Sequence, residues 1–167
     1  MKPKSFTLIE LVITMAVLVA MGWMGISALL AGVDSWSMFI QRKELLSDGR
    51  MAVDRMAREI RMIKNITSVL TADAAAFSFT DTNNNNLSFT LNSSVIERAE
   101  NEATNGLLDN VSNLSFTYYD TNNSVILTPA VSPLETNIRR IRISITLLKG
   151  ASRQVNLQTD TWPRNLK

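Results

Sequence analysis

The chain contains neither cysteine nor histidine. Without cysteine there is no disulfide framework, no thiolate metal site and no thiol redox chemistry. Without histidine, the commonest general base and the commonest metal ligand are both missing. Catalysis would have to rest on carboxylates or lysine alone, and no nucleophile–base pair, phosphate-binding loop or zinc spacing is found. The chain is therefore not expected to be an enzyme, and no cofactor or metal is expected. Proline is scarce as well, with four in 167 residues and none between Phe6 and Ile66. That gap leaves room for one uninterrupted helix. An excess of one charge is also lacking. The net charge is +2, and without Lys2 and Lys4 the basic and acidic side chains balance at 15 each. Such a balance does not point to nucleic acid. The length suits one domain plus an anchor.

What the sequence does have is a long apolar run. Phe6 to Val33 reads FTLIELVITMAVLVAMGWMGISALLAGV, holds one ionisable residue, Glu10, and ends at Asp34. A helix crossing the hydrocarbon core needs about 20 apolar residues at about 1.5 Å each. An ordinary secretory signal has a shorter stretch of about 7–15, followed by a small-x-small cleavage site. Here the nearest candidate, Leu29-Leu30-Ala31, starts with a bulky residue. Lys2 and Lys4 ahead of the span would keep the N-terminus in the cytoplasm. Residues 1–5 thus read as a basic leader and 6–33 as a transmembrane helix.

Glu10 is out of place in a plain anchor. A carboxylate in an apolar helix costs several kcal/mol to desolvate unless it is paired or reaches the surface. Counted from Phe6 it is the fifth residue, about 6 Å along the helix. Cleavage before Phe6 would create an α-amino group one turn away, cationic near neutral pH. Amine and carboxylate could then neutralise one another, within a chain or between neighbouring chains.

Lys4-Ser5-Phe6-Thr7-Leu8-Ile9-Glu10-Leu11 resembles the prepilin cleavage and methylation motif of type IV pilins and type II secretion pseudopilins. The resemblance implies cutting by a prepilin peptidase between Ser5 and Phe6, methylation of the Phe6 amine, and use of Glu10 to register each incoming subunit against another. Ser5 stands where the family usually has Gly. Ser is also small, so processing is expected to survive. The implied partners are other pilin or pseudopilin subunits, the peptidase, the bacterial inner membrane and an assembly platform. The implied location is the inner membrane, with the N-terminus cytoplasmic and the globular part periplasmic, and then a pilus or pseudopilus. The resemblance also implies that the middle of the helix can loosen in a filament, with Gly22 and Gly25 as the weak points.

Past Asp34 the helix turns amphipathic, to about residue 70 as an organisational segment and to about Ile66 as helix. Leu46, Val53, Met56, Ile60 and Ile63 form an apolar stripe. Arg50, Asp54, Arg55, Arg58, Glu59, Arg61 and Lys64 lie opposite. Asp54 with Arg50 and Arg58, and Glu59 with Arg55, are spaced for i,i+4 support. Residues 71–167 form a β-rich domain. Phe77–Thr80 and Leu87–Leu91 alternate as half-buried strands around the turn 81–86. Val111–Tyr119 and Val125–Leu127 repeat the pattern around 120–123. Ile141–Leu147 is the clearest strand, and another is expected near Gln154–Thr159. The fold class is α+β, with a long N-terminal helix on a small C-terminal antiparallel sheet.

This matches the pilin architecture. The chain end and the segment Met56-Ala57-Arg58-Glu59-Ile60-Arg61-Met62 look more like minor pilins or minor pseudopilins. The C-terminal disulfide loop of many major pilins cannot form here. A minor pilin is the leading expectation, and a minor pseudopilin of a type II secretion system is the alternative. From other classes come a DNA-binding uptake pilin and a single-pass anchored adhesin. The Asp/Asn-rich loops at 81–86 and 120–123 offer oxygen ligands of the kind Ca²⁺ takes, but plain turns are favoured. Arg139, Arg140 and Arg142 could meet phosphates, but a solvated strand face is favoured.

Overall fold

The computed structural model describes residues 7–129, 138–148 and 154–166. The chain divides into two compact units, Met1–Lys43 and Glu44–Lys167. One helix, α1, runs from Leu8 to Ile60 over 53 residues and contributes to both. In the first unit every described residue up to Ile40 is exposed. α1 is unbroken through Gly22 and Gly25, and a Cβ at either would meet nothing within 4 Å.

In the second unit α1 buries Leu45, Gly49, Ala52, Val53, Met56, Ala57, Glu59 and Ile60. The spacing follows one helical face. Leu45 takes the buried place expected of Leu46, which is only partly covered. Small residues let the helix approach the sheets closely. A Cβ on Gly49 would come within 2.5 Å of Leu157 Cδ1 and 2.6 Å of Leu147 Cδ1.

α1 stops at Ile60 rather than near Ile66, because neighbouring strands recruit the backbone beyond it. The Met62 and Ile63 N–H groups make tight bonds to the Glu59 and Ile60 carbonyls. The Lys64 N–H then donates to Thr80 O, and the Thr82 N–H to Met62 O. Ile63 stays fully buried, but as an isolated bridge partner of Asp81. Tertiary pairing overrides a sequence with adequate helix propensity.

A short 3₁₀ turn, Ile66–Ser68, leads into the strands, nine among the described residues. They are β1 (Val69–Ala72), β2 (Ala76–Thr80), β3 (Asn86–Asn92), β4 (Val95–Glu100), β5 (Ala103–Leu108), β6 (Val111–Tyr119), β7 (Val125–Ile126), β8 (Arg140–Leu148) and β9 (Gln154–Thr161). Among the described residues all pairings are antiparallel, and they form two sheets rather than one. The first has the order β1-β2-β3-β4-β5 and the second β7-β6-β8-β9.

The two sheets share a core with α1. Phe77 on β2 lies 5.7 Å from the Phe116 ring and 5.6 Å from the Tyr118 ring, both on β6. The Phe116 N–H donates to Ala74 O at 2.8 Å, and the Tyr118 hydroxyl donates to Asp73 O at 2.8 Å. Burial, with the nearby Asp73 charge, pushes the Tyr118 phenol up, so it stays a neutral donor. The chain end returns to the helix: Thr161 Oγ1 donates to Ala57 O, and Asn165 Nδ2 to Ile63 O.

Candidate functional site

The N-terminal segment presents Glu10 on the first turn of α1. Thr7 lies just outside the helix, and its Oγ1 accepts from the Glu10 N–H at 3.4 Å. Its carbonyl accepts from the N–H groups of Glu10 and Leu11 at 3.1 and 3.2 Å. Thr7 is therefore the N-cap and Glu10 the third helical residue, where a carboxylate also favours the positive end of the helix dipole. The spacing Thr-x-x-Glu carries this signal, and the sequence reading passed over it. Glu10 is exposed. Ser5, Phe6, Lys2 and Lys4 lie outside the described residues.

The apolar half of α1 is long and apolar enough to cross a membrane. Its hydroxyl groups are satisfied by the helix itself. Thr14 donates to Leu11 O at 2.8 Å and Ser27 to Met24 O at 2.9 Å, and just past this half Ser35 donates to Ala31 O and Ser37 to Asp34 O, both at 2.8 Å. In hydrocarbon, such internal partners spare each hydroxyl an unpaired donor. Side chains such as Leu8, Trp23 and Leu29 are more than two-thirds exposed among the described residues.

On the β-domain, the Asn-rich loops are turns of one design. Asp81 Oδ1 accepts from the Asn83 and Asn85 N–H groups, and Asp120 Oδ1 from those of Asn122 and Ser124. Asn84 and Asn123 take the left-handed conformation, with φ of 66° and 64°. Each loop is a type I turn closed by a left-handed residue, a three-residue hairpin form. In both, the aspartate Oδ1 is taken up by the backbone of its own loop. Among the described residues no three Asp or Glu side chains converge as a metal site would need.

Two of the three arginines at the start of β8 share one carboxylate, Asp160. Arg142 Nε donates to Asp160 Oδ1 at 2.8 Å, and Arg140 Nη1 to Asp160 Oδ2 at 2.9 Å. The Arg140 guanidinium also sits 3.8 Å over the Tyr119 ring, a cation–π contact. Arg139 is exposed and forms no ion pair among the described residues. The hydrogen bond from Arg142, helped by the Arg142 and Arg140 charges, holds the Asp160 carboxyl below the usual range despite partial burial. A depressed carboxylate pKa contributes stability above the unfolded value of about 3.9 and loses it as pH falls through the folded value. Asp160→Asn should therefore lower the melting temperature at pH 7. The gap to wild type should close below about pH 4, as measured by thermal melts from pH 7 to pH 2.

Glu59 was expected on the solvated face but is 8% exposed. Arg98 Nε on β4 contacts both its oxygens, at 2.9 and 2.8 Å, and Arg55 Nε reaches it at 3.0 Å. Arg98 Nη2 also holds Glu100 at 2.9 Å. Burial alone would lower the Arg98 pKa, but the hydrogen bonds to Glu59 and Glu100 outweigh it and the net shift is upward. Of the expected helical pairs, Arg55–Glu59 forms, whereas Asp54 pairs with neither Arg50 nor Arg58. Compared with models of known protein families and with curated protein sequences, the chain finds no match.

Proposed function

We propose that this chain is a structural subunit of a type IV pilus-like filament, a minor pilin, processed before Phe6 and assembled through its N-terminal helix. The observation that carries this reading is a small-Phe-Thr-Leu-Ile-Glu junction opening an apolar helix whose other half packs on antiparallel sheets. The apolar half has the length for a membrane before assembly. Its uncovered surface suits burial against like helices afterwards. Glu10, exposed one turn from the Phe6 amine that cleavage would free, supplies the charge for registration.

Two measurements test the proposal. Protein recovered from membranes should have an intact mass beginning at methylated Phe6, and a mature start near Gly32 would refute the reading. Glu10→Ala and Glu10→Gln should both be cleaved and retained in the membrane, because either makes the helix no more polar. Both should be largely lost from sheared filaments, since each leaves the amine of a neighbour without its counter-charge. Normal incorporation of both variants would exclude registration by charge.

A further inference from the structure

The second unit pairs its charges in two clusters, Arg55–Glu59–Arg98–Glu100 and Arg140–Asp160–Arg142. Among the described residues the other charges on this part of α1 form no ion pairs. Glu44 and Asp48, one turn apart, face Asp109 across a cleft of about 530 Å³ between α1 and the end of β5. Among the described residues none of the three carboxylates has a cationic partner, and Arg55, which also lines the cleft, is already engaged by Glu59. Met51 projects there, 62% exposed, beside the apolar Leu45 and Ala52. β5 ends its sheet, and its outer edge pairs with no other strand among the described residues.

The matching cations are on the other side of the same helix. Arg50 and Arg61 are exposed, with Asp54 between them on the same face, and among the described residues neither arginine forms an ion pair. At about 100° per residue, Arg50 and Arg61 point roughly 100–160° away from Glu44 and Asp48. One molecule cannot bring this ridge to its own cleft. A second copy can.

We infer that the cleft lined by Glu44, Asp48 and Asp109 receives the Arg50–Arg61 ridge of a second copy of this chain. Guanidinium groups pair carboxylates with two parallel hydrogen bonds, and Met51 supplies an adaptable apolar contact between them. Cleft and ridge are different surfaces, so the contact is head-to-tail. Each copy then offers a free ridge and a free cleft to the next, and the contact propagates instead of closing a dimer. The inference deepens the filament reading and rests on it for its setting. It uses neither Glu10 nor the apolar half of α1.

The test places a photo-crosslinking side chain at Met51 in the full chain in detergent micelles, with a second probe at Val19 as a proximity control. Mixing isotope-labelled and unlabelled chains separates adducts between copies from those within one. Met51 adducts should map to the 50–61 segment of the other copy, and 0.5 M salt should weaken them. Arg50→Glu with Arg61→Glu should cut the yield about tenfold, because like charges then face one another. Asp48→Lys with Asp109→Lys should do the same, and combining the two reversed sets should restore the adduct. Adducts to the outer edge of β5, adducts indifferent to charge reversal, or Val19 adducts without Met51 adducts would each overturn the inference. A charge-dependent Met51 adduct from a chain absent from filaments would refute the filament reading and keep the interface. Filament incorporation without the adduct would do the reverse.

Discussion

Ile60→Asp should remove most of the stability of the β-domain, about 4 kcal/mol or more. Ile60 is fully buried at the end of α1, in one cluster with Met56, Ile63 and the phenylalanines of β2 and β3. A carboxylate there loses its water without gaining a cation. It also sits at the negative end of the helix dipole, which adds to the penalty. The measurement is a thermal or urea melt of the chain from Asp34 onward, since the core lies wholly within Glu44–Lys167. Arg58→Ala, two residues away and exposed, serves as the control and should shift stability by no more than about 0.5 kcal/mol. If the two variants melt alike, the helix face assigned to the core is the wrong one.

Much of the fold was legible because local pattern and tertiary role agree. Ile141–Leu147 alternates apolar and polar residues, and β8 buries its Ile and Leu side chains in that order. The Asp-Thr-Asn-Asn turns were legible for the same reason, since an Asx side chain and a left-handed Asn build them from local bonds. β4 and β5 were not. Val95-Ile96-Glu97-Arg98-Ala99-Glu100 places charges where alternation would be read, and buries only Ile96 fully. Ala103-Thr104-Asn105-Gly106 is exposed throughout, so no hydrophobic period exists to find. Those strands are fixed by pairing to β3 and by left-handed turns at Ser93 and Asn101. The helix end was misplaced for a related reason, since the partners that take the backbone after Ile60 are Thr80 and Thr82, distant in sequence. At the candidate site, the Glu10 signal was legible from the expense of a carboxylate in an apolar run. The Glu59 signal was not, because an i,i+4 arginine makes a solvated face the economical reading, and Arg98 is 39 residues away.

That long-range pair should show the second large effect. Arg98→Met should cost about 3 kcal/mol, because it leaves the Glu59 carboxylate, 11% exposed, with only the half-exposed Arg55. Glu59→Leu should cost less. Arg98 keeps Glu100 at 2.9 Å, and its long stem lets the charged head move toward water. The double variant Glu59→Leu with Arg98→Met should recover most of the loss, since two apolar side chains of similar volume replace a desolvated pair. The coupling should be nearly insensitive to added salt, in contrast to the cleft carboxylates, because little solvent reaches it. A double-mutant cycle by urea melts measures it directly. If the two single losses simply add, Glu59 and Arg98 are independent. The bond from the last turn of α1 to β4 would then contribute nothing to holding helix and sheet in register.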